Sequence, residues 1–234
     1  MRELGADLIL AQEASLAALP AWVGERWTYV SGEVGQFRKT WNWGSIIAAK
    51  RELCLVPHHK SLDDPWLTQL YDLVLVGQLQ LTSGPVVVAS VHTAAVSVHD
   101  WLRDYAKTLS LSDNELESLR RPDCKEVPYL NDLAFTSLVR TIAHQPFIVA
   151  GDWNTCRKYA GGPEFFSRAK SHGWIECHDL PEEQTYFGKS GGAYQLDHAF
   201  VDQKTATSLV RCQIHANNAV RDLSDHALMV IDLE

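Results

Sequence analysis

The chain has 234 residues, 46% of them hydrophobic, which is enough to bury a full core in one domain spanning 1–234 without calling for a second. Its formal net charge of −8 counts against a protein that grips long duplex DNA by wholesale phosphate neutralisation, because such affinity comes from clustered Lys and Arg. No apolar run is long enough for a membrane span and no basic segment with an apolar follower marks a secretory leader, so a cytoplasmic location is expected.

Along the chain, Asp7-Leu8-Ile9-Leu10-Ala11 reads as a short apolar strand ending at Gln12-Glu13, which puts a carboxylate at a strand end. Trp41-Asn42-Trp43-Gly44 reads as a turn, with Asn42 a turn residue. Val86 to Val91 forms a second strand that runs into His92. Val98 to Leu109 and Pro128 to His144 carry helical periodicity, the latter with Leu130, Ala134, Leu138 and Ile142 on one face. Between them, Asp113 to Arg121 reads as a short polar helix behind a Ser112 cap.

Pro146 to Ala150 is a β-rich apolar run that stops abruptly at Gly151-Asp152-Trp153-Asn154. A buried strand thus delivers Asp152 and Asn154 to its C-terminal edge, where α/β sheets keep their chemistry. Pro163 to His172 reads as a helix opened by proline and closed by Gly173. Leu196-Asp197-His198-Ala199-Phe200 sets Asp197 inside an alternating strand, where an unpaired charge is costly, so it needs a partner such as an imidazole. Asp225-His226 then stands at the mouth of a closing strand, Ala227 to Ile231, with a carboxylate beside a titrating ring.

The odd number of cysteines, 5, without Cys-x-x-Cys spacing favours reduced thiols, and Cys156 reads as a packing residue. His58, His59 and His178 lack metal-ligand spacing and are expected at the surface. Among basic residues, Arg157-Lys158, just after Asn154, is the pair best placed to meet a phosphodiester, against the alternative of a solvated loop. Trp153 reads as structural support, and Trp22, Trp27, Trp66, Trp101 and Trp174 as core or interface residues.

Glu13 after a strand, His92 after a strand, "GDWN" at 151–154, "LDHAFV" at 196–201 and "LSDH" at 223–226 together resemble the endonuclease/exonuclease/phosphatase superfamily, in that family's order and across Asp7 to Leu233. The resemblance implies a DNase I-like fold, a four-layer α/β sandwich of two sheets. It also implies a divalent-metal-dependent phosphodiester hydrolase, most directly a nuclease. In it Glu13 is the principal ligand of Mg²⁺ or Mn²⁺ and Asp225 supports the metal. His226 is the implied general base, oriented by Asp197. Asp152 positions the water or serves the leaving oxygen, and Asn154 and His92 hydrogen-bond the phosphoryl oxygens.

The family usually carries a strand with a metal-binding Asn before that Glu, and Glu13 is too close to Met1 for it, so either truncation or a natural variant lacking that strand is expected. Glu33 is only a candidate partner of the phosphate-binding His, and a solvated loop charge is the favoured explanation. Nucleic acid is the favoured substrate. A lipid or small-molecule phosphoester, and a catalytically impaired binding or scaffold protein, are the alternatives.

Overall fold

The computed structural model describes residues 5–15, 26–31, 43–58, 63–64, 67–68, 73–93, 130–159, 161–178, 181–188 and 193–234. The expectations for Val98 to Leu109, Asp113 to Arg121, Glu33, Asn42, His59, Trp22, Trp66 and Trp101 fall outside them. The strands are β1 (Leu8–Ser15), β2 (Trp27–Ser31), β3 (Trp43–Lys50), β4 (Val56–Pro57), β5 (Val74–Leu81), β6 (Gly84–His92), β7 (Phe147–Asp152), β8 (Ile175–Glu176), β9 (Asp197–Val201), β10 (Leu209–His215) and β11 (Leu228–Leu233). The helices are α1 (Leu130–Ile142), α2 (Gly162–Ser171), α3 (Gln203–Ala206) and α4 (Asn218–Arg221).

A six-stranded sheet runs β4-β5-β6-β7-β9-β8, beside a three-stranded sheet, β1-β3-β2, and a hairpin, β10-β11. Within the large sheet β6 and β7 pair in parallel, which sets His92 opposite Asp152, while β7 and β9 pair antiparallel, which sets Asp152 opposite Asp197. Three residues from three strands therefore meet along one edge.

The apolar run of β6 is continuous because both of its faces are buried, and alternate residues enter different cores. Val87, Ala89 and Val91 pack with Leu133, Leu138, Phe165 and Trp174 beneath the helices. Val86 and Val88 pack with Val30 and Ile47, against which Leu8, Leu10, Met229 and Ile231 also lie, so the small sheet and the hairpin share the other face. On the far side of the small sheet Ile46 and Ala48 are also fully buried, as the inner sheets of a four-layer sandwich require. The architecture is the expected α/β sandwich, with the layer facing the six-stranded sheet divided, among the described residues, into the three-stranded sheet and the hairpin.

α1 occupies the middle of the span predicted for it and buries Ala134, Leu138 and Ile142, while Asp132 in its first turn pairs with Arg168 of α2. α2 begins at Gly162, where a Cβ would come within 1.9 Å of the Cys156 carbonyl oxygen, so only glycine lets the turn after Asn154 fold against the helix.

Two expectations are corrected. β1 does not end at Glu13 but runs on to Ser15, with a break in its register against β3 between Ala11 and Ala14. Glu13 sits in that bulge with φ at 50°, a device that re-aims a side chain without ending the strand. His58 and His178 are buried, at 3% and 8% exposure, rather than on the surface. The backbone of His58 is tied to β5 through Val76 O, and the ring of His178 bonds Glu183 at 3.1 Å.

Candidate functional site

The parallel β6-β7 pairing delivers His92 and Asp152 side by side, and its closeness depends on Gly151. At φ of 148° that residue lies where a Cβ would meet Val91 O at 2.0 Å. β1 is fastened over β6 by Gln12 Nε2, which donates to Ser90 Oγ at 2.8 Å, so the bulged Glu13 reaches His92, Oε1 to Nε2 at 3.5 Å. The same Nε2 is 3.8 Å from Asp152 Oδ2.

Asp152 is held by an Asx-type turn. Its Oδ1 accepts from the Asn154 backbone N–H at 2.9 Å and its Oδ2 from the Asn154 amide at 2.8 Å, with Asn154 left-handed at φ of 46°. One of the two amide N–H bonds of Asn154 is thereby committed to Asp152, which leaves the other for a ligand. Between them Trp153 is fully buried against Phe165 and Phe200, its ring centroids 5.2 and 5.8 Å away, and anchors the turn to the helix-side core.

From the other side, Asp197 at the start of β9 receives His226, Nδ1 to Oδ2 at 2.8 Å. This is the imidazole partner that the sequence demanded for that carboxylate. With Nδ1–H donated to Asp197, Nε2 faces the site, 3.9 Å from Asp152 Oδ2. Asp225, exposed, bears electrostatically on both Glu13 and His226. All seven predicted site residues therefore converge on one edge of the fold, and one side-chain oxygen or nitrogen from each of Asp152, Asp197 and His226, a set that could hold a metal ion, lies within 4.8 Å of the others.

Electrostatics follow from crowding carboxylates around a half-buried ring. Burial first, and the Asp197 charge second, hold Asp152 well above its ordinary range, partly offset by His226 and the Asn154 backbone. Burial pulls His226 down, but the hydrogen bond and charge of Asp197, with Asp152 and Asp225 behind it, outweigh that and push it up to about 9. Burial and the Asp225 charge likewise raise Glu13.

A carboxyl raised in the fold contributes stability while protonated and costs stability as pH climbs above its unfolded value. Asp152→Asn should therefore melt higher than the wild type at pH 8, by about 2–4 °C for each kcal/mol recovered. Paired melting curves measure this; a lower melting temperature at that pH would contradict the assignment of Asp152 as a strained buried acid.

Several site-shaping residues carried no sequence signal. Thr185, fully buried, accepts from both the Leu196 and the Asp197 backbone N–H, at 2.9 and 3.1 Å, and so fixes where Asp197 emerges. The segment around it is laced to the His226 turn by Phe187 N to Asp225 O and Ala227 N to Thr185 O, both 2.7 Å, which brings the Tyr186 ring 5.1 Å from that of His226. Arg157 is turned away from a phosphodiester role. Its guanidinium pairs with Glu176 and Glu182 and lies 3.9 Å over Phe166, while Lys158 donates to Ala193 O at 3.0 Å. Cys156 is fully buried, and burial pushes its thiol up, as befits a packing residue.

Comparison with known proteins adds three observations. The model of the Endonuclease/Exonuclease/phosphatase family matches residues 1–226. No curated protein sequence matches the chain. Among solved structures, the endonuclease domain of TRAS1, a telomere-specific non-LTR retrotransposon, superposes with a TM-score of 0.63 at 13% identity, covering 100% of this chain and 88% of that one. The AP endonuclease LMAP from Leishmania major gives 0.60 at 14% identity, covering 100% and 80%. The 3′ phosphatase NExo from Neisseria, bound to a product DNA hairpin, gives 0.62 at 14% identity, covering 97% and 89%. At these identities the likeness is one of fold.

Proposed function

The chain belongs to the endonuclease/exonuclease/phosphatase family, and from that premise we propose that it is a divalent-metal-dependent phosphodiester hydrolase acting on nucleic acid. The observation that carries this reading is the Asp197–His226 hydrogen bond, 2.8 Å long, which turns the free Nε2 of the ring toward Asp152. An isolated carboxylate cluster offers no such arrangement; a base with its orienter does.

The donor set fits a hard divalent cation. Glu13, Asp152 and Asp225 offer carboxylate oxygens; burial first, then the neighbouring Asp225 and Asp197 charges, raise Glu13 and Asp152, and a cation would favour their ionised forms. Glu13 and Asp225 would hold it. When bound, Mg²⁺ or Mn²⁺ supplies Lewis-acid polarisation of the phosphoryl group and, by its charge, favours the unprotonated forms of His226 and Asp152.

In the mechanism His226 Nε2 takes a proton from the attacking water, and Asp197 keeps the ring in the Nδ1–H tautomer and stabilises the imidazolium that forms. Asp152 lies close enough to His226 to orient the water or to pass a proton to the leaving oxygen. The free N–H of Asn154 and the ring of His92 act as donors to the phosphoryl oxygens, where charge develops.

The structural relatives include an AP endonuclease and a 3′ phosphatase, which makes damaged or terminal DNA phosphoesters the first substrates to try. End-labelled duplexes that are intact, carry an abasic site or end in a 3′-phosphate would be incubated with Mg²⁺ or with EDTA. Cleavage of the intact or abasic duplex, present with Mg²⁺ and absent with EDTA, is the expected result; release of the 3′-phosphate alone would make the activity a phosphomonoesterase instead. Indifference of all three to metal would sink the reading.

A further inference from the structure

Behind the site, on the face of β9 opposite Asp197, lies a buried polar network that the mechanism does not use. His198 is fully buried; its Nδ1 is 2.8 Å from Glu176 Oε1, and its Nε2 is 3.0 Å from both Thr155 O and Gln195 O. Gln195 Nε2 also lies 3.3 Å from Nδ1, so both ring nitrogens are engaged in the network. Glu176 in turn pairs with Arg157, whose guanidinium reaches Glu182 at 3.3 Å, and Glu182 also accepts the Arg157 backbone N–H at 2.9 Å. Burial works against the Glu176 charge, yet the bonds from His198 and Arg157 hold its carboxyl below the ordinary value.

The ends of this network matter more than its middle. Thr155 follows the Asn154 turn directly, and Gln195 is two residues before Asp197. One ring thus ties together the two backbone segments that carry the halves of the site, Asp152 with Asn154 on one and Asp197 with its His226 on the other. Phe166, with its ring centroid 4.8 Å from that of His198, and the Arg157–Glu182 pair close the network from the remaining sides. A structure needing only to fill this space would use an apolar residue, since a buried ionic network contributes little net stability over well-packed hydrophobic side chains.

We propose that His198, backed by Glu176 and Arg157, is a positioning residue that sets the spacing between the Asp152–Asn154 turn and the Asp197–His226 pair. The inference rests on the phosphodiesterase reading for its kinetic consequence but not for its structural one. A misplacement of the order of 1 Å at such a site costs about 10–10²-fold in rate.

The test uses the whole chain with Mg²⁺, in the variants His198→Phe, which keeps an aromatic ring beside Phe166, and Glu176→Gln, which keeps size while removing the charge. Three readouts are taken: kcat and KM on a cleavable oligonucleotide, the melting curve, and the low-field proton resonance of His226 Nδ1–H in its bond to Asp197. The expected result is a kcat lowered about 10–10²-fold with KM within about twofold of the wild type, together with a shifted or broadened resonance. Should His198→Phe fail to fold, Glu176→Gln carries the test alone. Variants that fold and keep both the wild-type kcat and the resonance overturn the proposal, whatever their melting temperature. A wild type inactive on every oligonucleotide, with the resonance disturbed in the variants, refutes the proposed reaction but leaves the positioning role standing.

Discussion

His226→Ala should reduce kcat/KM by about 10²–10⁴-fold, the range spanned by positioned acid–base groups, with the larger share in kcat. The ring combines an Nδ1 spoken for by Asp197 with an Nε2 facing Asp152, so alanine removes the base while leaving its orienter without its imidazole. Asp197→Asn separates the two roles. It keeps the shape but withdraws the charge that sustains His226 near 9, so in the metal-free protein the ring should titrate closer to an ordinary imidazole.

The stability consequence has a definite sign. A histidine whose folded value is raised contributes stability that is complete below its unfolded value, near 6.5, and is lost as pH rises toward about 9. Wild-type melting temperature should therefore fall across that window, more steeply than in Asp197→Asn. Proton NMR of the His226 ring alongside melting curves measures both effects, and an unchanged titration in Asp197→Asn would refute the assigned cause.

Glu13→Gln should abolish the response to Mg²⁺. Loss of even a residue that merely orients a metal ligand costs about 10–100-fold in affinity or activity, and Glu13 is proposed as the ligand itself. The isosteric amide keeps the bulged backbone, and its effect on the metal-free protein has the opposite sign. Glu13 is raised by burial and by Asp225, so its ionised form costs stability as pH rises above its ordinary value of 4.5, and the variant should melt no lower than the wild type at neutral pH. Added Mg²⁺ should then raise the wild-type melting temperature by mass action and leave Glu13→Gln unmoved. Equal stabilisation of both proteins by the cation would exclude Glu13 as a ligand.

Much of the site could be read from the sequence because its residues sit at the ends of strongly apolar runs, where periodicity is clear. Phe147 to Asp152 and Leu228 to Leu233 are such runs, and the need of Asp197 for an imidazole followed from its place in an alternating strand. What escaped was set by pairing between distant segments. The bulge at Glu13 depends on register against β3, which alternation within β1 does not reveal. β5 and β10 carry no residue of the candidate site, so nothing in the sequence drew attention to them. Arg157 looked like a phosphate contact by proximity to Asn154, and only the fold brings Glu176 and Glu182 up to claim it. His198, read as one letter of a strand motif, has its role through Thr155, 43 residues earlier.

The most direct test of the account is nicking of supercoiled plasmid by the purified chain in Mg²⁺ or Mn²⁺, run beside EDTA and the His226→Ala variant. Nicking that requires the metal and disappears in the variant is the predicted result. Nicking that survives His226→Ala or EDTA, or none by a folded wild-type protein with either ion, would contradict the claim that the Asp197–His226 pair drives metal-dependent cleavage of nucleic acid.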